Sequence, residues 1–156
     1  MTRGLSIASF GASLGKSQEK AWLNTRRSEV ANYLKTEGIA HGQIGEYPAW
    51  HLWPYVSIWA IESVQSPGWV GWWVVCGDHP TDYVSSTDIK DPRSAMRAIG
   101  RRWNEVSAFM LRGETHPSIT IGTPEQWPEL GKLLQSRAEM LLEWAADDDV
   151  WVETAP

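Results

Sequence analysis

The chain has 156 residues, a formal net charge of -5 and eleven tryptophans against two phenylalanines. This length suffices for one domain with a hydrophobic core. The acidic balance argues against nonspecific nucleic-acid binding, which depends on neutralising phosphates, and no apolar run approaches the roughly 18 residues of a membrane span. The single cysteine, Cys76, cannot form an internal disulfide, which fits the reducing cytoplasm that we expect.

The first 16 residues are predicted to form a flexible leader. Gly4, Gly11 and Gly15 interrupt the apolar stretch, which also lacks the leucine-rich centre of a secretory signal. The remainder, residues 17–156, shows no repeat and no low-complexity linker, and we predict that it forms a single α+β domain.

A first helix is predicted from Ser17, a suitable N-cap, to Glu37. Gly38 supplies the stop signal. The stretch that follows, residues 39–54, is rich in glycine, proline and aromatic side chains. We expect it to be irregular and to pack onto a sheet.

Two strands are the clearest β elements of the sequence. Residues 55–63 and 69–77 are rich in β-branched and aromatic side chains, and a Ser-Pro-Gly turn at residues 66–68 separates them, which predicts an antiparallel hairpin. The second strand is apolar on both faces and should be central in the sheet. Gly71 within it indicates a close backbone approach. A short further strand is expected near residues 83–87.

A second helix is predicted from Asp91, a good N-cap followed by proline, to Arg112, with Gly113 as its stop. Helical spacing places one apolar stripe on it. The stripe comprises Ala95, Met96, Ile99, Trp103, Val106 and Met110.

A third helix is predicted after residues 123–126, which resemble a capping box, with Pro128 making its first turn irregular. Three aspartates at residues 147–149 should end it, and Trp151 should fold back. The predicted fold is therefore α+β, a small antiparallel sheet with a central tryptophan-rich hairpin packed against about three helices. The buried stripe of the third helix is expected to comprise Leu130, Leu133, Leu134, Ala138, Leu141 and Ala145.

Residues 11–17, Gly-Ala-Ser-Leu-Gly-Lys-Ser, resemble a nucleotide-binding loop. That motif needs four residues between its glycines, so that backbone N–H groups surround the phosphate. Here three intervene, and Phe10 occupies the position that requires glycine. We therefore interpret this segment as a chance match.

No metal site and no catalytic residue are predicted. The histidines His41, His51, His79 and His116 are scattered, without the paired spacing that puts two ligands on one helical face. Cys76 lies in an apolar strand, where burial should raise its pKa and disfavour the thiolate. An enzyme is therefore unsupported, although not excluded, and no cofactor is expected.

The densest polar segment is Gly-Asp-His-Pro-Thr-Asp-Tyr at residues 77–83, predicted to be a loop at the exit of the central strand. It is either a binding loop held on a rigid sheet or a loop that caps its own backbone. Its candidate binding residues are Asp78, His79, Thr81, Asp82 and Tyr83.

Arginines recur every four residues along the second predicted helix, from Arg93 to Arg101, with Arg102 beside them. They either pair with acidic residues such as Asp82 or recognise an anionic ligand or an acidic partner. Arg93 joins the candidate binding residues on this account. Trp50 and Trp53 complete the set as aromatic side chains beside a groove.

Several segments resemble an uncharacterised bacterial family, a domain of unknown function. The segments are Pro-Ala-Trp at residues 48–50, Gly-Trp-Trp at 71–73, the polar segment at 77–83 and Pro-Arg at 92–93. The resemblance spans roughly residues 22–151. It implies a bacterial cytoplasmic protein and assigns no activity.

Two functional hypotheses remain open. The first is a non-enzymatic binding protein whose acidic and aromatic surface engages a protein partner, for example an immunity protein or inhibitor that blocks a basic toxin or effector. The alternative is a small-molecule or nucleotide-binding domain, or an enzyme, with a pocket around the segment at residues 77–83.

Overall fold

A computed structural model describes the backbone of residues 7–151 and the side chains of residues 16–151. Its helices and antiparallel sheet confirm the predicted α+β class. No helix in the described range is long and apolar enough to cross a bilayer. The elements are α1 (Ile7–Thr36), β1 (Trp50–Leu52), β2 (Val56–Glu62), β3 (Val70–Gly77), β4 (His79–Ser85), α2 (Pro92–Leu111), α3 (Trp127–Ala146) and a short 3-10 helix (Asp148–Trp151).

The chain divides into two compact units, an N-terminal unit that ends at Thr81 and a C-terminal unit that starts at Asp82. The N-terminal unit contains α1, β1, β2 and β3, and the C-terminal unit contains α2, α3 and the 3-10 helix. The division falls within β4. The expectation of one domain over residues 17–156 stays a prediction.

Helix α1 begins at Ile7 and not at Ser17 as predicted. The stretch contains no proline, and glycines inside a helix cost only about 1 kcal/mol each relative to alanine, so the backbone continues as helix through Gly11 and Gly15. The expected flexibility of the leader is not tested, and its first six residues lie outside the described range.

The sheet has the order β1-β2-β3-β4, with β2 and β3 paired antiparallel from Val56 opposite Gly77 to Glu62 opposite Val70. This confirms the predicted hairpin and the central position of β3. A Cβ atom on Gly71 would lie 2.8 Å from the Cα of Ser63. The close backbone approach expected at Gly71 is therefore present.

The region expected to be irregular is more ordered than its composition suggests. Strand β1 pairs with β2, and upstream of it Gly45 and Ala49 donate backbone hydrogen bonds to Ala60 and Ile58 of β2, at 3.1 and 2.8 Å. Residues 42–52, here called the edge segment, therefore run along the outer edge of β2. The backbone carbonyl groups of β2 accept these hydrogen bonds and order the segment despite its glycines and proline.

The polar segment at residues 77–83 is not the loop that we predicted, because strand β4 already begins at His79. Pro80 removes a backbone donor, but β4 lies at the edge of the sheet order, where proline is tolerated. The tight connection before it depends on Gly77, since a Cβ there would overlap the carbonyl oxygen of Tyr55. The short strand expected near residues 83–87 is the end of β4.

Within the C-terminal unit, α2 matches its prediction. Asp91 caps it by accepting the backbone N–H of Ser94 at 2.8 Å, Gly113 follows its end with a positive φ of 71°, and every residue of the predicted stripe is buried.

Helix α3 departs from its predicted stripe at Leu130, which is only half-buried, and at Leu133, which is 50% exposed. Gly131 occupies the buried position instead, and a Cβ there would lie 3.2 Å from side-chain atoms of Leu111 and Met110 on α2. We assigned Leu133 by hydrophobicity alone, but a close helix contact selects the small residue. The buried residues of α3 are Trp127, Gly131, Leu134, Ala138, Leu141 and Ala145.

The start of α3 contains half of the predicted capping box. The side-chain Oε1 of Gln126 accepts the backbone N–H of Thr123 at 2.9 Å, while the helix begins at Trp127. At the other end, the indole of Trp151 donates to the carbonyl oxygen of Trp144 at 2.8 Å. The chain therefore folds back as expected.

Candidate functional site

The eight predicted binding residues fall in both units. Trp50, Trp53, Asp78, His79 and Thr81 belong to the N-terminal unit, whereas Asp82, Tyr83 and Arg93 belong to the C-terminal unit.

Asp82 is committed to hydrogen bonds inside the C-terminal unit. Its Oδ2 accepts the indole N–H of Trp103 at 2.8 Å, and Arg102 lies 3.3 Å from both carboxylate oxygens. Arg102 also donates to the carbonyl oxygen of Tyr83 at 2.8 Å. These bonds join the end of β4 to α2. They favour the interpretation that Asp82 stabilises the fold and does not bind a ligand.

Arg93 is likewise engaged within the fold. Its guanidinium donates to the carbonyl oxygen of Ala145 and to Asp148, both at 2.7 Å, and lies over the ring of Trp151. Arg93 is the first of the arginines that recur along α2, and it therefore holds the end of α3. This agrees with the interpretation that these arginines pair with acidic residues of the fold.

The other candidates lie at separate positions of the N-terminal unit. Trp50 is part of β1, and Trp53 lies in the turn after it. Asp78 is exposed in the connection between β3 and β4, and the Nδ1 of His79 lies 2.8 Å from the carbonyl oxygen of Pro80. The hydroxyl of Thr81 hydrogen-bonds the thiol of Cys76.

Large aromatic rings are exposed at both ends of β2. Tyr47, in the edge segment, is 70% exposed, and Trp69, in the turn between β2 and β3, is 75% exposed. Trp53 and Tyr55, at 37% and 49%, lie in the turn between β1 and β2, at the opposite end of β2. We call these four residues the edge surface. Sequence reasoning selected only Trp53, because the default position of large aromatic residues is the core.

Hydrogen bonds with two side chains, Arg27 and Glu62, hold the backbone next to Tyr47 and Trp69. Arg27 of α1 donates from Nε to the carbonyl oxygen of Gly45 and from Nη2 to that of Ile44, each at 2.9 Å. The carboxylate of Glu62 accepts the backbone N–H groups of Gln43 and Gly68, each at 2.8 Å, and these bonds lower its pKa.

A cavity of about 520 Å³ lies within the N-terminal unit and is here called the α1 pocket. Four residues of the first helix, Lys16, Glu19, Lys20 and Leu23, line one side. Facing them are Glu46, Tyr47 and His51 of the edge segment and Trp59 of β2.

Two features give the α1 pocket a fixed lining. The Nε2 of His51 lies 2.6 Å from the carboxylate of Glu19, with both side chains about one-third exposed. The indole of Trp59, only 1% exposed, donates to Ser57, whose hydroxyl donates to the carbonyl oxygen of Cys76. No local sequence pattern indicates this site, since Glu19 and His51 are separated by 32 positions.

The thiol of Cys76 is buried and donates a hydrogen bond to the carboxylate of Glu29 at 2.9 Å. Burial, followed by this carboxylate, raises the pKa of the thiol to about 12. The raised pKa expected from the sequence is present, and it disfavours a nucleophilic thiolate.

The excess of acidic over basic side chains lies entirely in the C-terminal unit. Residues 1–81 contain six acidic and six basic side chains, whereas residues 82–156 contain thirteen acidic and eight basic ones. The exposed aromatic residues and the excess negative charge, which we expected on one surface, therefore belong to different units.

The chain matches the family described as domain of unknown function (DUF4826) over residues 16–151. No curated protein and no solved structure matches it.

Proposed function

The chain belongs to the DUF4826 family, and we propose that it is a non-enzymatic binding protein that engages a protein partner through its edge surface. The observation that carries this proposal is the exposure of Tyr47 and Trp69, at 70% and 75%, in two hydrogen-bonded segments next to β2, the edge segment and the hairpin turn. Tyrosine and tryptophan supply large contact areas with few rotatable bonds and dominate the energetics of protein interfaces.

The fixed backbone of the edge surface supports the same proposal. Arg27 holds the carbonyl groups just before Tyr47, and Glu62 holds the turn that precedes Trp69. A partner would therefore meet rings whose backbone is already ordered, so little conformational entropy is lost on binding.

The charge of the chain suggests the kind of partner. The C-terminal unit has five more acidic than basic side chains, a balance that favours association with a basic protein. We infer that the protein acts in the bacterial cytoplasm as an immunity protein or inhibitor, with a basic toxin or effector as its partner. A pocket around residues 77–83 has less support, because Asp82 and Arg93 are engaged in internal bonds.

The test screens the basic proteins encoded next to the gene for this chain for a toxin and measures the binding of that toxin by calorimetry. The absence of any such toxin would contradict the role of an immunity protein. Replacing both rings, Tyr47→Ser with Trp69→Ser, should weaken binding at least about 30-fold, since interface aromatics contribute about 2 kcal/mol or more when truncated. Leu133→Ser is the matched control, because Leu133 is an exposed apolar residue on α3. It should leave the affinity unchanged.

Co-expression provides the functional readout. The wild-type chain and the Leu133→Ser variant should protect cells from the toxin, whereas the double variant should not, although circular dichroism shows it folded. The absence of both binding and protection with the wild-type chain would contradict the proposal. So would an equal loss in the control variant.

A further inference from the structure

We propose that the α1 pocket binds a small organic anion that has a flat apolar body and a carboxylate or phosphate group. This inference is independent of the edge-surface proposal. The cavity volume of about 520 Å³ lies within the range of roughly 300–1,000 Å³ typical of small-molecule sites.

The anion-binding end of the pocket is formed by Lys16 and Lys20. They are four residues apart on α1 and therefore lie on the same side of the helix, where two like charges repel each other. Neither ammonium group forms an ion pair with any residue whose side chain is described. An anion between them would relieve that repulsion.

Glu19 lies between the two lysines in sequence, but its carboxylate is engaged elsewhere. The Nε2 of His51 lies 2.6 Å from it, and this contact fixes the orientation of the imidazole ring. The pair therefore supplies a positioned polar group in the pocket, and the Glu19 carboxylate forms no direct ion pair with either lysine.

The apolar wall that a ligand can reach is formed by Leu23, which is half-buried, and by the exposed ring of Tyr47. The indole of Trp59 closes the bottom of the cavity and is almost fully buried, with its N–H donating to Ser57 at 2.9 Å. An aromatic or other flat apolar group packs favourably against the ring of Tyr47 and the side chain of Leu23.

Glu46 is the remaining charged residue in the lining, and its carboxylate opposes the binding of an anion. Replacing it by a neutral side chain should therefore strengthen binding. This expectation separates an anionic ligand from a cationic or zwitterionic one, for which Glu46 would be a favourable partner.

The test compares two probes of the same shape, 2-naphthoate and the uncharged 2-naphthamide, by calorimetry with the whole chain. We expect 2-naphthoate to bind the wild-type protein at least about tenfold more tightly than 2-naphthamide. Combining Lys16→Gln with Lys20→Gln should remove this preference, whereas Lys132→Gln, at an exposed position of α3, should preserve it. Glu46→Gln should tighten 2-naphthoate binding about two- to fivefold.

A steric variant locates the probe. Asn24 is an exposed residue of the pocket lining, so Asn24→Trp should obstruct the cavity and abolish binding of both probes without lowering the melting temperature. Equal affinity for the two probes would overturn the proposal, as would 2-naphthoate binding that is insensitive to the lysine substitutions. Failure of 2-naphthoate to bind the wild-type chain at millimolar concentration would also overturn it.

Discussion

The carboxylate of Asp82 is occupied by contacts inside the fold, with Trp103 and Arg102. The indole N–H of Trp103, which is buried in α2, finds its acceptor in Asp82, and Arg102 balances the negative charge. The sequence placed Asp82 among candidate binding residues because it belongs to the densest polar segment, which was predicted to be a loop at the exit of the central strand. Its partners are about twenty positions away, where no local pattern could reveal them.

The substitution Asp82→Ala is expected to lower the free energy of unfolding by about 2–3 kcal/mol, because it removes the carboxylate that accepts a buried indole N–H and balances the charge of a partly buried guanidinium. Urea denaturation measures this change. Asp88→Ala, at an exposed aspartate nearby, should stay within about 0.5 kcal/mol of the wild-type chain. An unchanged stability for Asp82→Ala would contradict the structural role.

The raised pKa of the Cys76 thiol predicts that the folded protein loses stability at alkaline pH. The folded thiol has a pKa near 12, above the value of 9.0 for an unperturbed thiol. The unfolded chain therefore releases its proton first as the pH rises. This contribution to stability is complete below pH 9 and declines between pH 9 and 12, by up to about 1.4 kcal/mol per pH unit.

The variant Cys76→Ala should show a weaker decline over the same interval when unfolding is followed at several pH values. In the wild-type chain, iodoacetamide should modify Cys76 at pH 8 only after urea is added, because the thiolate is scarce in the folded state. Rapid alkylation of the folded protein would contradict this expectation, because it would show that the thiol is accessible and that its pKa is not raised.

At the scale of the secondary-structure elements, the hairpin of β2 and β3 depends on a glycine. Gly71→Ala would place a methyl group against the backbone of Ser63, which cannot move without disturbing the pairing. We expect a destabilisation of about 1–3 kcal/mol, measured by thermal or urea unfolding. Val64→Ala, at an exposed position in the same hairpin, should change stability much less.

The elements that the sequence predicted correctly are those with strong local signals. The hairpin has its Ser-Pro-Gly turn, and α2 has both its cap at Asp91 and an uninterrupted apolar stripe. The first half of β4 was missed because Pro80 and the Gly77-Asp78 pair resemble a turn, while its pairing depends on the position of a strand in the sheet. The burial of Gly131 in place of Leu133 depends on a neighbouring helix.

The candidate site was harder to predict than the fold. The α1 pocket brings together a helix and an edge segment about thirty residues apart, and the exposure of Tyr47 and Trp69 follows from where the chain turns. Neither property is encoded in residue spacing. The large number of tryptophans suggested that some of them lie at the surface, but composition does not identify which rings are exposed.

At the scale of the whole molecule, the unequal distribution of charge predicts how a basic partner associates. Neutralising two exposed acidic residues of α3, Glu139→Gln with Glu143→Gln, should lower the association rate constant several-fold at low salt and leave the dissociation rate nearly unchanged. Stopped-flow mixing at two ionic strengths measures both. Glu37→Gln, in the unit without excess charge, is the control, and an equal slowing by that variant would contradict the charge argument.

Tyr47 lies in the edge surface and also lines the α1 pocket. An occupant of either location therefore touches a side chain that the other requires, and thermodynamic reciprocity follows. A small molecule that changes the affinity for the macromolecular partner must have its own affinity changed by the same factor. The chain would then report the concentration of a metabolite through the lifetime of a complex, with one tyrosine as the shared component.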